Sequence, residues 1–296
     1  MENTRSYRTD SISIPEGGER AALLDSLSQL TIDGNSSGEL RDYLEADLDR
    51  FLYTLALIPE SIFGTGLEIG ANPYFMSVLA REYRPSVTFD YLNYFEGAGA
   101  QVRQCVGWRG RDGQAKEDVF TSHNVNSELE RLPVDGSHYD LILFCEVLEH
   151  FTMDPLHCVL ELRRVLKDDG LLVLTTPNVA RFENVSALIE GRNLYDPYSG
   201  YGPHGRHNRE YTRHELHMLM RHAGFVCDFD FTSDVHPNIP SAIDAGTVVD
   251  ALAHIPRREH DLGQYLFSRW RKVPGADPAP RFPRWLYRSY PESHFA

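Results

Sequence analysis

Gly66-Leu67-Glu68-Ile69-Gly70-Ala71-Asn72-Pro73 is an apolar run that carries an acid and then bends at a glycine, and a helical pattern follows it. Twenty-two residues after Glu68 a second apolar run, Ser86 to Phe89, meets Asp90. Strand, Gly-bearing turn, helix, strand and terminal acid is the arrangement by which an α/β sheet holds an adenosine-containing cofactor at its strand ends. Gly70 leaves room where a side chain would collide with the ligand. An acid at the end of the second strand accepts both ribose hydroxyl protons.

The same spacing serves dinucleotide folds, but two details argue against one. The turn has Gly70 and then Asn72 and Pro73, not three glycines. A pyrophosphate needs close backbone approach and a free helix N-terminus. Glu68 also places a carboxylate beside the turn, which repels phosphate and suits the sulfonium and ammonium of S-adenosylmethionine.

Further on, Tyr139 to Cys145 is an apolar strand running into Glu146-Val147-Leu148-Glu149-His150. Asp154 to Leu166 has apolar residues at helical spacing, and Gly170 lies just past the helix end. Gly170 to Asn178 reads as the next strand. Here the chain resembles the class I S-adenosylmethionine-dependent methyltransferases, over roughly Leu40 to Thr232. The branch it is most similar to includes ubiquinone-type and bacterial polysaccharide and sugar O-methyltransferases. The resemblance implies a Rossmann-like α/β fold: a mostly parallel seven-stranded sheet, helices on both faces and an antiparallel edge strand. It implies that Glu68, Gly70 and Asn72 line the methionine part, that Asp90 holds the ribose, and that Asn126 lies near the adenine and Cys145 beside the sulfonium. Ubiquinone-type relatives carry a comparable Glu-x-x-Glu-His that is thought to bind Mg²⁺, which implies the same of Glu146, Glu149 and His150. Two positions depart from the family pattern. Asn72 replaces a glycine, though Asn tolerates left-handed backbone. Asn126 stands where an acid is common, yet an amide can still bond the adenine amine.

The chain has 296 residues and a net charge of −14. That length buries an ample core, and that charge disfavours nucleic acid, which needs a positive footprint. From residue 256 onward eight Lys/Arg face four Asp/Glu. This aromatic, basic tail would dock on the acidic body, on a second subunit as a homodimer, or on an anionic partner. Cys105, Cys145, Cys158 and Cys227 form no CxxC pair, so free thiols in a reducing cytoplasm are expected. No apolar run is long enough to span a membrane, and no secretory leader opens the chain.

Three parts follow: residues 1–38 as a flexible N-terminal arm, 39–235 as the cofactor-binding domain, and 236–296 as a C-terminal extension. Within the domain, 179–211 reads as an insertion that forms an acceptor lid. Thr212-Arg213-His214-Glu215 is a capping box that opens a new helix.

If Glu146 to His150 coils, positions i, i+3 and i+4 share a face. Two carboxylates and an imidazole then converge, a donor set that suits Mg²⁺. A bound cation or a base is what a hydroxyl nucleophile needs. His150 is the first candidate base and His207 the second. Tyr195, Tyr201, His204, Arg206 and Tyr211 of the lid offer ring faces and hydrogen-bond donors to a sugar. The expected reaction is in-line methyl transfer to a saccharide hydroxyl. A quinone or phenolic acceptor is the alternative, and a non-catalytic S-adenosylmethionine-binding protein the second.

Overall fold

The computed structural model describes residue 12 and residues 14–252, 254–255, 258, 261–276, 278 and 280–296. The chain opens with helix α1 (Gly17–Ser28), strand β1 (Thr31–Ile32) and helix α2 (Gly38–Leu57). Then come β2 (Gly64–Ile69), α3 (Phe75–Tyr83), β3 (Val87–Asn93), β4 (Gln101–Arg109) and β5 (Ala115–Asn124). Next are β6 (Tyr139–Cys145), α4 (Pro155–Val165), β7 (Leu166–Pro177) and α5 (Phe182–Ile189). The last elements are α6 (Arg213–His222), β8 (Phe225–Ser233), α7 (Ala245–Leu252) and β9 (Tyr265–Lys272).

Among the described residues nine strands form one sheet, in the order β1-β4-β5-β3-β2-β6-β7-β9-β8. The centre is parallel: β2 pairs with β3 and β6, β3 with β5, and β6 with β7. Both edges are antiparallel. The α/β class and the antiparallel edge strand β8 are as the sequence led one to expect, and the sheet has two strands more than the expected seven. The additions are β4, hairpinned onto β5, and the short β1 beyond it.

Strand β6 is apolar at nearly every position because both its faces are covered. Leu141 and Leu143 join the core built with α1, α2 and α3, while Ile142 and Phe144 join the core built with α4 and α6. Alternation along one strand thus divides the interior into two layers. Local signals set the helix ends. Ser37 accepts the Leu40 amide, Asp154 accepts the His157 amide, and Thr212 with Glu215 forms the expected capping box.

Two segments carry more structure than their sequence indicated. In the 1–38 segment, α1 buries Leu23 and Leu27 against the core and β1 pairs with β4; residues 1–11 and 13 lie outside the described residues. In the 236–296 segment, β9 inserts antiparallel between β7 and β8, and the tail beyond it packs on its own chain. The Tyr287 hydroxyl accepts the Leu156 amide at 2.9 Å and donates to Asp154 at 2.6 Å. No helix among the described residues is long and apolar enough to cross a membrane.

Trp270 is the keystone of β9: it is fully buried, and its ring N–H donates to Ser268 at 2.8 Å. Trp270→Ala is expected to cost about 3–5 kcal/mol, read as a lowered urea midpoint. Val226→Ala, on the exposed side of β8, should stay within about 0.5 kcal/mol.

Candidate active site

A cavity of about 330 Å³ opens where β2, β3 and β6 end, lined by Gly70, Asn72, Asn93, Asn126, Glu146 and His150 among others. A smaller pocket of about 100 Å³ adjoins it, lined by Arg50, Glu68, Gly70, Asn72, Cys145 and Glu146 among others. Five of the six residues expected at a donor site therefore line one connected region.

Each has a local reason for its place. Gly70 has φ +71°, and a Cβ there would stand 2.7 Å from Val147 Cγ2. Backbone conformation and space both demand glycine, and the obstacle is protein as well as any ligand. Asn72 donates its amide to Asn93 Oδ1 at 2.9 Å. The left-handed residues of the turn are Gly70 and Tyr74, not Asn72. Glu68 is buried, and burial pushes its carboxyl up to about 8 although Ser77 Oγ donates to it at 2.5 Å. Burial also raises the Cys145 thiol, to about 12, so it is neutral.

Asp90 is elsewhere. Strand β3 continues three residues past it, and Asp90 sits opposite Leu67 on an exposed stretch, where its carboxylate accepts from Tyr139 Oη at 3.0 Å. The residue at the strand end is Asn93, whose side chain also donates to Tyr74 Oη at 3.2 Å.

Beyond β6 the expected set of Glu146, Glu149 and His150 does not converge. Glu146 has φ +54°, and only Leu148–His150 forms a short 3-10 turn, so i, i+3 and i+4 do not share a helical face. The Glu146 carboxylate accepts from Thr175 Oγ1 at 2.7 Å and lies 3.9 Å from Arg50. Burial holds it up near 8, against the pull of Arg50. What converges instead is Glu149, His150 and His207, with one potential ligand atom from each within 4.8 Å of the others. Glu149 is fully buried, and burial raises its carboxyl. His150 Nδ1 lies 3.0 Å from the Arg206 carbonyl, and burial followed by the nearby His207 lowers its pKa. His207 Nδ1 lies 3.0 Å from Glu210 Oε1; burial would lower its pKa, but this carboxylate raises it.

The lid divides its residues. His204 lines the 330 Å³ cavity. Tyr195 and Tyr211 line a larger one of about 740 Å³, with His207, Asn208 and Arg209. Tyr211 is buried, whereas Tyr195 and Tyr201 are 85% and 92% exposed. The Arg206 guanidinium lies over the Tyr198 ring, 5.0 Å from its centroid.

Residues 39–228 match the family described as a methyltransferase domain. The chain belongs to this family. It carries a class I S-adenosylmethionine-dependent methyltransferase domain. Two relatives from two strains of Mycobacterium tuberculosis bear the name "Probable S-adenosylmethionine-dependent methyltransferase". Each is 30% identical over 139 residues, which is 44% of this chain and 46% of theirs. The chain thus spans about half the length of the curated relatives it matches. Solved structures with similar folds include a methyltransferase from Thermotoga maritima at 18% identity, covering 79% of this chain and 94% of that one with TM-score 0.47. Another, from Archaeoglobus fulgidus, is 12% identical and covers 86% and 95%, with TM-score 0.45.

The methyltransferase domain has site residues that the sequence reading passed over. Arg50 of α2 is buried, donates to Asp47 at 2.9 Å and to Tyr43 Oη at 2.5 Å, and lines the smaller pocket. Arg50 stands two residues from Leu48 and so lies off the apolar stripe of Leu48, Phe51 and Leu52, on the side of Asp47 and Tyr43, where periodicity does not mark it. Asn93 gave no local signal, because its partners Asn72 and Tyr74 lie 21 and 19 residues away in sequence; Glu210 stands three residues after the histidine it meets, a spacing the reading did not use. If Asn93 holds the donor at the strand end, Asn93→Ala lowers S-adenosylmethionine affinity about tenfold, the loss of roughly one good hydrogen bond. Asp90→Ala should shift it less than about twofold. Isothermal titration of both variants checks this, and the reverse ranking returns the role to Asp90.

Proposed function

We propose that this chain moves the methyl group of S-adenosylmethionine to a hydroxyl of a saccharide acceptor. One observation carries the reading: His150 lines the cofactor cavity and His207 the 740 Å³ cavity, and their rings stand 5.2 Å apart between the two. A donor methyl in one and a hydroxyl in the other would meet at this pair. With each Nδ1 beside an acceptor oxygen, each Nε2 keeps its lone pair. An imidazole there is placed to take the hydroxyl proton as oxygen attacks the methyl carbon and S-adenosylhomocysteine leaves. Orientation contributes up to ~7–11 kcal/mol in well-aligned cases, and a base contributes roughly 10²–10⁴-fold.

The donor end supports the cation. Glu68 and Glu146 face a small pocket together with Arg50. The first two suit the ammonium and sulfonium, and the guanidinium suits the methionine carboxylate. The acceptor cavity supports a sugar: Asp196, Asn208, Arg209 and Glu215 offer directed hydrogen bonds, and Tyr195 and Tyr211 offer ring faces. Its remaining wall is apolar, with Met153, Leu188, Leu194 and Leu286, which favours a phenolic or quinone acceptor as the second reading. The four cysteines are free, which supports a reducing, cytoplasmic setting. The residues do not fit Mg²⁺ held by Glu146, Glu149 and His150, because the Glu146 carboxylate is turned to Thr175 and Arg50.

A methyl-transfer screen over sugars and catechols tests the acceptor. Transfer to saccharides is expected, and transfer to catechols alone installs the second reading. His150→Gln should lower kcat by about 10²–10⁴-fold and change donor affinity less than about threefold; an unchanged kcat removes the imidazole from the mechanism.

Glu68 yields a pH dependence. Its carboxyl, raised to about 8, is mostly protonated in the ligand-free protein at pH 7. A cationic donor favours the carboxylate, so binding expels a proton and affinity rises from pH 6 toward pH 8. Titration in buffers of different ionisation heat should show up to about one proton released near pH 7, and Glu68→Gln should abolish the release.

A further inference from the structure

We propose that Glu210 is a positioning residue for methyl transfer: it holds the His207 ring so that Nε2 meets the acceptor hydroxyl with its lone pair free. The inference rests on the acceptor reading above and concerns a carboxylate to which that reading gives no task. Glu210 Oε1 lies 3.0 Å from His207 Nδ1, three residues along the lid.

The carboxylate is clamped before it ever meets the imidazole. Its other oxygen, Oε2, accepts from the Arg181 guanidinium and from Asn184 Nδ2, the latter at 3.4 Å. Both donors are themselves tied to the chain just after β7. Arg181 donates to the Asn178 carbonyl at 3.0 Å, and Asn184 donates to the Val179 carbonyl at 3.0 Å. The backbone beside Glu210 is pinned to the same stretch, since the Val179 amide donates to the Tyr211 carbonyl at 3.1 Å. Only 12% of the Glu210 side chain is exposed. Burial would raise its carboxyl, but His207 and Arg181 hold it below the usual range, so it is ionised.

An ionised carboxylate only accepts hydrogen bonds. The His207 nitrogen beside it therefore carries the proton, and the other nitrogen keeps its lone pair. When that lone pair takes the hydroxyl proton, the positive charge of the imidazolium lies against Glu210. The hydroxyl oxygen bonds to the methyl carbon in the same step, and sulfur keeps the electron pair of the broken carbon–sulfur bond. No neighbour duplicates this support. Asp196 Oδ2 accepts the His207 backbone amide at 2.9 Å and stands 3.9 Å from Nδ1. Glu149 Oε1 bonds to neither ring. His150 is held by a neutral group instead: its Nδ1 lies 3.0 Å from the Arg206 carbonyl, which no side-chain change removes.

The tautomer is read first, by ring-nitrogen NMR on full-length protein labelled at histidine and free of acceptor, with His207→Gln to assign the signal. Parent His207 is expected in the Nδ1–H form. Glu210→Gln should lose that bias, because an amide can also donate to Nδ1. Kinetics follow, with the best acceptor from the sugar and catechol screen. Glu210→Gln should lower kcat about 10²–10⁴-fold and leave KM and S-adenosylmethionine affinity within about threefold. Glu210→Asp, which keeps the charge, should exceed Glu210→Gln in kcat by at least about tenfold. Parent His207 in the Nε2–H form, a tautomer indifferent to Glu210→Gln, or parental kcat in that variant overturns the proposal. Loss of S-adenosylmethionine binding in Glu210→Gln assigns the carboxylate to the fold alone and overturns it as well. Failure of every sugar and catechol to accept a methyl group, in a protein whose His207 tautomer still follows Glu210, sinks the acceptor reading and leaves the tautomer assignment standing.

Discussion

The bend at Glu146 is the constraint on which both cavities depend. Strand β6 reaches Cys145 in register with Thr175 of β7, and the next residue adopts φ +54°. For a residue with a Cβ that conformation is uncommon, so neighbours must hold it. Two consecutive threonines do so. Thr175 donates to the Glu146 carboxylate and Thr176 to that of Glu149. The strand-end hydroxyls thereby aim one acid at the donor pocket and the other at the lid. The lid then reads the turn through its backbone, with the Asn208 and Arg209 amides on the Glu149 carbonyl. Donor cavity, histidine pair and lid are positioned by one seam between two parallel strands.

The electrostatics of the donor end follow from burial. Glu68, Glu146 and Arg50 are all removed from bulk water, and an isolated buried charge is too costly to keep. Arg50 stays ionised because Asp47 is 2.9 Å away and Glu146 is within 3.9 Å. Glu68 has a neutral hydroxyl partner, Ser77, and burial favours its protonated form.

What was legible in the sequence was local. The β2 turn, the apolar β6 and the Thr212 capping box are each decided within a dozen residues by periodicity or by a cap. What was hidden depends on partners far along the chain. Asp90 looked like a strand end because an acid interrupts an apolar run, yet Thr88 and Asp90 are the exposed positions of an alternating strand that resumes through Leu92. Strand β9 reads as an ordinary basic, aromatic segment, and only β7 and β8 on either side make it a strand. The Glu146-to-His150 spacing looked helical, but a left-handed residue and a short 3-10 turn undid it, and the vacant position was filled by His207, fifty-seven residues beyond His150. Periodicity has no term for a contact of that range.

The larger cavity is walled differently from the two smaller ones. The residues around the two smaller cavities lie largely on strand ends, the turns after them and α2. The walls of the 740 Å³ cavity come from the stretch from Phe151 to Pro155, from residues between Val179 and Glu215, and from Leu286 with Tyr287 of the tail. Tyr287 links them, since its hydroxyl meets Asp154 and the Leu156 amide at the start of α4. Changing a lid or tail residue alters the cavity without disturbing a parallel strand, and strand ends stay rigid because both faces of the sheet are filled.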